Sequence, residues 1–225
     1  MTGPSGSPWD AVLFDLDGTI ADTIPLILAC YREMMVEHFG HEGDPDAWVQ
    51  TIGRPLPLML RGISESDEQA EALRVTYKRI QAGLHDTMVR PFAGIPDIVR
   101  REVARGSRRA IVTSKGIPMT ARTMRICQVD SAFEVVVTAD HVERAKPDPE
   151  PVHLALEQLN TRASERVVFV GDSLHDIEAG HAAGVTTVAV TWGARSREEL
   201  EAGNPSHVVD TPAELAPILE GRRAA

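Results

Sequence analysis

Short apolar runs rich in β-branched residues alternate with stretches of helical periodicity along most of this chain. The runs fall at 11–15, 110–113, 135–138, 167–171 and 186–191, and the helical patterns at 95–105, 117–126, 149–159 and 174–183. A run that is apolar at every position suits a strand buried on both faces, and strand–helix alternation is how a parallel sheet covers both of its faces. The expected class is therefore α/β, with a Rossmann-like parallel sheet core flanked by helices. Open parallel sheets bind their ligands outside the carboxyl ends of the strands. Functional groups are therefore expected at that edge.

One stretch breaks the alternation. Residues 24–88 contain no strand pattern, only helical ones such as 26–39 and 67–84. Placed directly after the first strand, this insertion is expected to form a small all-helical subdomain. The turn-rich Val89-Arg90-Pro91-Phe92-Ala93-Gly94 marks the return to the sheet. The expected organisation is a core of residues 9–22 and 90–221, a helical subdomain of 23–89, a disordered leader of 1–8 and a frayed tail from Gly221.

Composition removes several function classes. With 43% hydrophobic and 25% charged residues the chain reads as globular, and no apolar run approaches the ~18 residues of a membrane span. Residues 1–8 lack the basic and apolar parts of a secretory signal, so a cytoplasmic location and no membrane partner are expected. The net charge of -10 argues against a nucleic-acid partner, because phosphate backbones are held by clustered Lys and Arg. The one basic run, Arg100, Arg101, Arg105, Arg108 and Arg109, reads as a solvated helix face and the loop after it. Cys30 and Cys127 sit in apolar, helical-looking settings and are expected to be buried reduced thiols.

The chemistry gathers at the strand ends. Asp15 and Asp17 close the first run in Asp15-Leu16-Asp17-Gly18-Thr19, and alternation along a strand gives the two side chains a shared direction. Their mutual repulsion calls for a bound cation, a shared proton or a nearby Lys. Thr113 and Ser114 end the second run, Lys146 stands in Ala145-Lys146-Pro147 after the third, and Gly171-Asp172-Ser173-Leu174-His175-Asp176 follows the fourth. Magnesium, which takes carboxylates, water and substrate phosphate, matches Asp15 and Asp172 better than a softer metal does. The eight histidines show no ligand spacing, and His175 is expected to be an exposed helix residue. Asp22 is expected to cap a helix or support a hinge.

These motifs, taken in order, resemble those of the haloacid dehalogenase superfamily phosphatases, particularly the phosphoglycolate phosphatase-like members with a helical cap. Asp15 to Thr19 corresponds to the first motif, Ile111-Val112-Thr113-Ser114-Lys115 to the second, Lys146-Pro147 to the third, and Gly171-Asp172-Ser173 with Asp176 to the fourth. The resemblance implies a Mg2+-dependent phosphatase acting on small phosphorylated metabolites through an aspartyl-phosphate, as a monomer or homodimer. It makes Asp15 the nucleophile and Asp17 the acid and base. Thr113 and the Ser114 backbone N–H would bind a phosphoryl oxygen, with Lys146 offsetting charge. The metal would be held by Asp15, the Asp17 carbonyl, Asp172 and Asp176. Within the cap loop Ile52-Gly53-Arg54-Pro55-Leu56, Arg54 would grip a second anionic group of the substrate, and Lys115 is a further substrate-binding candidate.

Phosphoglycolate leads the expected substrates. The alternatives are an inorganic pyrophosphatase and a phosphomutase similar to beta-phosphoglucomutase. A non-catalytic metabolite-binding regulator is a further alternative, but no catalytic group is missing from the motifs. A true dehalogenase is disfavoured because Asp17 supplies a carboxylate that those enzymes lack.

Overall fold

The computed structural model describes residues 6–221. Its first strand, β1 (Ala11–Phe14), is apolar at every position because both faces are covered: Val12 and Phe14 enter one hydrophobic cluster, Ala11 and Leu13 another. The chain then forms a two-residue strand β2 (Ala21–Asp22) and leaves the sheet through helices α1 (Ile24–Phe39), α2 (Pro45–Val49), α3 (Leu56–Arg61) and α4 (Asp67–Met88). It returns through β3 (Arg90–Pro91), which pairs antiparallel with β2. The helical insertion is thus tied to the sheet by a two-stranded neck. Asp22 lies in that neck, and Thr23 occupies the cap position of α1.

The remainder alternates as α5 (Ile95–Ala104), β4 (Arg108–Val112), α6 (Ile117–Ile126), β5 (Val135–Val137), α7 (Glu150–Gln158), β6 (Val167–Gly171), α8 (Leu174–Ala183), β7 (Thr186–Val190), α9 (Arg197–Ala202), β8 (His207–Val209) and α10 (Pro212–Leu219). The main sheet runs in the order β5-β4-β1-β6-β7-β8, all neighbours parallel. Its direction of winding switches beside β1, so β1, β4 and β6 bring their carboxyl ends together. β8 is a sixth strand that the sequence pattern did not reveal; with three residues and an exposed His207, it is too short to show a period.

Three local expectations are corrected. Residues 6–8 were expected in a disordered leader, yet Ser7 is fully buried and its Oγ accepts from Ser107 Oγ at 2.9 Å; residues 1–5 of that leader, like 222–225 of the expected tail, lie outside the described residues. Arg109 was expected on a solvated face, yet its buried guanidinium donates to the carbonyls of Ala132, Ser107 and Glu102. Those carbonyls make the burial of a cation tolerable. His175 was expected to be exposed, yet it is half-buried against the loop after α2. Among the described residues no helix is long and apolar enough to cross a membrane.

The helices of the insertion do not form a separate core. Leu26, Met34, Trp48 and Tyr77 belong to the same buried cluster as Leu16, Ile20 and Phe14, and Trp48 stacks on Tyr31 with ring centroids 4.4 Å apart. Cap and sheet share one apolar layer, which holds the helices over the carboxyl edge of β1.

Candidate active site

β1 delivers Asp15 to the sheet edge, where its N–H still donates to Val170 O at 2.8 Å and so extends the ladder one residue beyond the strand. The chain then turns tightly at Gly18, whose φ of 77° favours glycine and whose missing side chain leaves room for Asp172; a Cβ there would overlap the Asp172 carboxylate. Thr19 Oγ1 donates to Asp172 Oδ1 at 3.3 Å, and Ala194 N–H, in the loop after β7, donates to Asp172 Oδ2 at 2.7 Å. A Cβ on Gly193 would also strike this carboxylate. Two loops, the turn after β1 and the loop after β7, therefore fix Asp172 beside Asp15.

Asp176 is placed by local helix chemistry. Ser173 caps α8 and Asp176 sits three residues on, in a reciprocal capping box: Ser173 N–H and Oγ donate to Asp176 Oδ2 at 3.1 and 2.6 Å. Its other oxygen, Oδ1, accepts from Lys146 Nζ at 2.5 Å. Lys146 also donates to Val112 O at 3.1 Å and lies 3.0 Å from Asp15 Oδ1. The Asp15 contact is an ion pair whose angle makes no hydrogen bond, so Asp15 Oδ1 is buried without a hydrogen-bond donor among the described residues. The ammonium also sits 5.6 Å from the centroid of the Phe169 ring.

Carboxylate oxygens of Asp15, Asp172 and Asp176 lie within 4.8 Å of one another, all three residues buried. Burial pushes the Asp15 carboxyl up to about 7 against the pull of Lys146, with Asp176 and Asp17 adding to the rise. Burial likewise raises Asp172, with Asp15 next in effect. Burial opposes the charge on Lys146, but Asp15 and Asp176 hold its ammonium above the usual lysine range. A hard divalent cation fits this donor set: buried carboxylate oxygens, one lacking a donor, in a cradle closed by two glycines. Asp15, whose Oδ1 has no hydrogen-bond donor among the described residues, and Asp172, whose two oxygens accept only from the neutral donors Thr19 and Ala194, are the direct candidates, whereas Asp176 is bonded to the Lys146 ammonium.

Thr113 continues β4, with its N–H donating to Val137 O at 2.9 Å and its Oγ1 accepting from Lys115 N–H at 3.2 Å. The other candidates line one cavity of about 380 Å³ between sheet edge and helices. There Lys115 Nζ donates to Asp17 Oδ1 at 2.6 Å, so the two are paired side by side. Ser114 Oγ donates to Gly53 O at 2.6 Å, which joins the second motif to the loop after α2. Gly53 has a φ of 103°, and a Cβ on it would press on Ser173 and His175. Arg54 is exposed at the cavity wall with no side-chain partner among the described residues.

Sequence reasoning overlooked Arg195. It is 6% exposed and donates to Gln50 O at 2.5 Å and to Gln50 Oε1, while Gln50 Nε2 donates to Glu199 Oε1 at 3.2 Å. This clasp holds the loop carrying Gly53 and Arg54 onto the core. Its position after β7, at the carboxyl edge, was the available signal. Arg195→Ala is expected to loosen the loop and raise KM about tenfold or more, because charge-assisted hydrogen bonds are lost. Steady-state kinetics would check this, and an unchanged KM would show that the clasp does not matter.

The haloacid dehalogenase-like hydrolase family model matches residues 12–190. "Pyrophosphatase PpaX" of Bacillus mycoides (strain KBAB4) is 34% identical over 210 residues, covering 93% of this chain and 96% of that protein. "Pyrophosphatase PpaX" of Bacillus cereus (strain G9842) is likewise 34% identical with the same coverage. Among solved structures, a predicted phosphoglycolate phosphatase from Haemophilus somnus 129PT aligns with a TM-score of 0.85 at 18% identity, covering 94% of this chain and 98% of that one. A hydrolase from Pseudomonas syringae aligns at 0.84 and 24%, covering 95% and 99%. The two structural likenesses bear on the fold, and the family rests on the sequence match across most of the chain. The chain belongs to the haloacid dehalogenase-like hydrolases, as a phosphatase of that family.

Proposed function

We propose that this protein is a Mg2+-dependent phosphatase that transfers the phosphoryl group of small phosphorylated metabolites to Asp15 and then to water. The observation that carries this reading is the buried triad of Asp15, Asp172 and Asp176 with Lys146 seated among them. A carboxylate in that position attacks phosphorus through one oxygen, forming the acyl-phosphate bond as the ester P–O bond breaks. Asp17, at the cavity wall, donates a proton to the departing oxygen and afterwards takes one from the attacking water. Thr113 and the N–H of Ser114 receive a phosphoryl oxygen, and Lys146 balances charge on Asp15 and the transferred group. Bound Mg2+, held by Asp15, the Asp17 carbonyl and Asp172, would neutralise the negative charge gathered between nucleophile and phosphate.

Phosphoglycolate is the leading substrate, with Arg54, on the wall of the same cavity as Asp15 and Thr113, the candidate partner for its carboxylate. The names of the full-length relatives favour a second reading, pyrophosphate hydrolysis. A phosphomutase would return the phosphoryl group to a sugar, giving a positional isomer without free phosphate. A phosphate-release screen over phosphoglycolate, sugar monophosphates and pyrophosphate, with Mg2+ and with a chelator, tests all three. Release is expected with Mg2+ and loss of it with chelator; no release from any substrate would overturn the proposal. Asp17→Asn is expected to lower turnover at least about a hundredfold while leaving the Mg2+ dependence in place. Unchanged turnover would remove Asp17 as the acid.

A further inference from the structure

The carboxylate of Asp172 is held by two donors, and both lead to one tryptophan. Thr19 Oγ1 reaches Asp172 Oδ1, and the N–H of Ala194 reaches Oδ2. Trp192 stands two residues before Ala194, across Gly193, where a Cβ would strike the same carboxylate. Its indole Nε1–H crosses to the other support and donates to Thr19 O at 3.1 Å. Thr19 is fully buried, and among the described residues no other donor reaches that carbonyl. A buried carbonyl left without a donor is costly, so the indole is what lets Thr19 sit where its hydroxyl meets Asp172.

Packing holds the indole from its other side. Its ring meets that of Phe92 with centroids 6.3 Å apart and planes tilted by 59°. The two rings stand in a groove outside the neck with Ile24, Leu28 and Met88. Phe92 follows β3, and its N–H donates at 3.0 Å to the carbonyl of Ile20, the residue after Thr19. The turn that carries Thr19 is thus pinned to the neck on one side and to the loop after β7 on the other. An indole suits this place, because its body is apolar and its one polar group is a donor. Phenylalanine would fill most of the same space and leave Thr19 O bare. A ligand oxygen fixed before the cation arrives binds it more tightly than one that must first be ordered.

We infer that Trp192 is a positioning residue for the metal site: through Thr19 it orients the Asp172 carboxylate and so sets the affinity for Mg2+. That role rests on the Mg2+ reading above and deepens it. The test is a calorimetric titration of Mg2+ into the substrate-free protein, comparing wild type with Trp192→Phe and Trp192→Tyr, which keep a ring against Phe92 and lack the indole N–H. The dissociation constant is expected to rise about tenfold in both, the scale on which groups that orient metal ligands act. Thr19→Val takes the hydroxyl away from Asp172 and is expected to weaken Mg2+ by a similar factor. Adding Trp192→Phe to Thr19→Val should then change the constant by less than about twofold, because both residues lie on one path. Melts in chelator separate this role from packing alone. A lowered melting temperature with an unchanged Mg2+ constant would leave Trp192 a packing residue and overturn the inference, as would an unchanged constant with an unchanged melt. Full multiplication of the two effects in the double variant would overturn the path through Thr19. If wild type takes up no Mg2+ at all, the metal reading itself fails and the inference falls with it.

Discussion

Asp15→Asn is expected to reduce phosphate release below about a thousandth of wild type, because a neutral amide is a poor acceptor for a phosphoryl group at neutral pH. The same substitution is expected to raise the stability of the metal-free protein. Asp15 shares its surroundings with Asp172 and Asp176, and Lys146 alone reaches two of the three among the described residues. Removing one negative charge while keeping the shape relieves that crowding. The sign can be followed through pH. Burial pushes the Asp15 carboxyl from 3.8 up to about 7, so between these values the folded state holds a proton that the unfolded state has released. Stability of the metal-free protein therefore falls as pH rises from about 4 to 7 and levels off above that. Asp15→Asn should flatten part of that slope, with the part due to Asp172 remaining. Thermal melts at pH 5 and pH 8 in chelator check this. Equal slopes in the two proteins, or substantial residual turnover in the variant, would deny Asp15 its place.

The sheet was legible because both faces of its central strands are covered. Continuous apolar runs such as Val167–Gly171 are what two-sided burial demands, and five of the six strands of the main sheet were recognisable for that reason. β8 at the edge is short, with His207 exposed, and the neck strands β2 and β3 have two residues each, too few for any period. Most of the catalytic groupings were legible because their motifs end strands, so topology alone brings Asp15, Thr113 and Asp172 to one edge, while Lys146 stands further on, in the connection between β5 and α7. Groups on helices were not legible in this way. Gln81 and Tyr77, which line the cavity, look like ordinary residues of an amphipathic helix, and only the placement of α4 over the sheet turns that face towards it. Lys115 was a candidate for substrate, and its pairing with Asp17 depends on where the turn after β4 points the side chain. Arg195 has no motif around it, and its importance comes entirely from Gln50, 145 residues away.

Lys146→Met is expected to damage fold and chemistry together. The side chain is 1% exposed and links the carboxylates of Asp15 and Asp176 with the carbonyl of Val112. Methionine fills a similar volume but leaves two buried carboxylates facing each other without a cation. Removing one partner of a buried ion pair commonly costs about 3–5 kcal/mol, so a comparable loss is expected in chelator at pH 7.5. Mg2+ should recover part of it, because a cation that binds only the folded state stabilises by mass action and replaces the missing charge near Asp15. Activity should not return, since the ammonium also offsets charge on the transferred group. Lys146→Arg is expected to rescue poorly: a planar fork cannot aim donors at Asp15, Asp176 and Val112 O as a tetrahedral ammonium does. Urea unfolding with and without Mg2+, alongside phosphate release, measures both effects. A stability loss under about 1 kcal/mol in chelator would mean that the buried carboxylates take up protons once Lys146 is gone. The balance at this sheet edge would then be set by proton uptake, and the lysine would serve the chemistry alone.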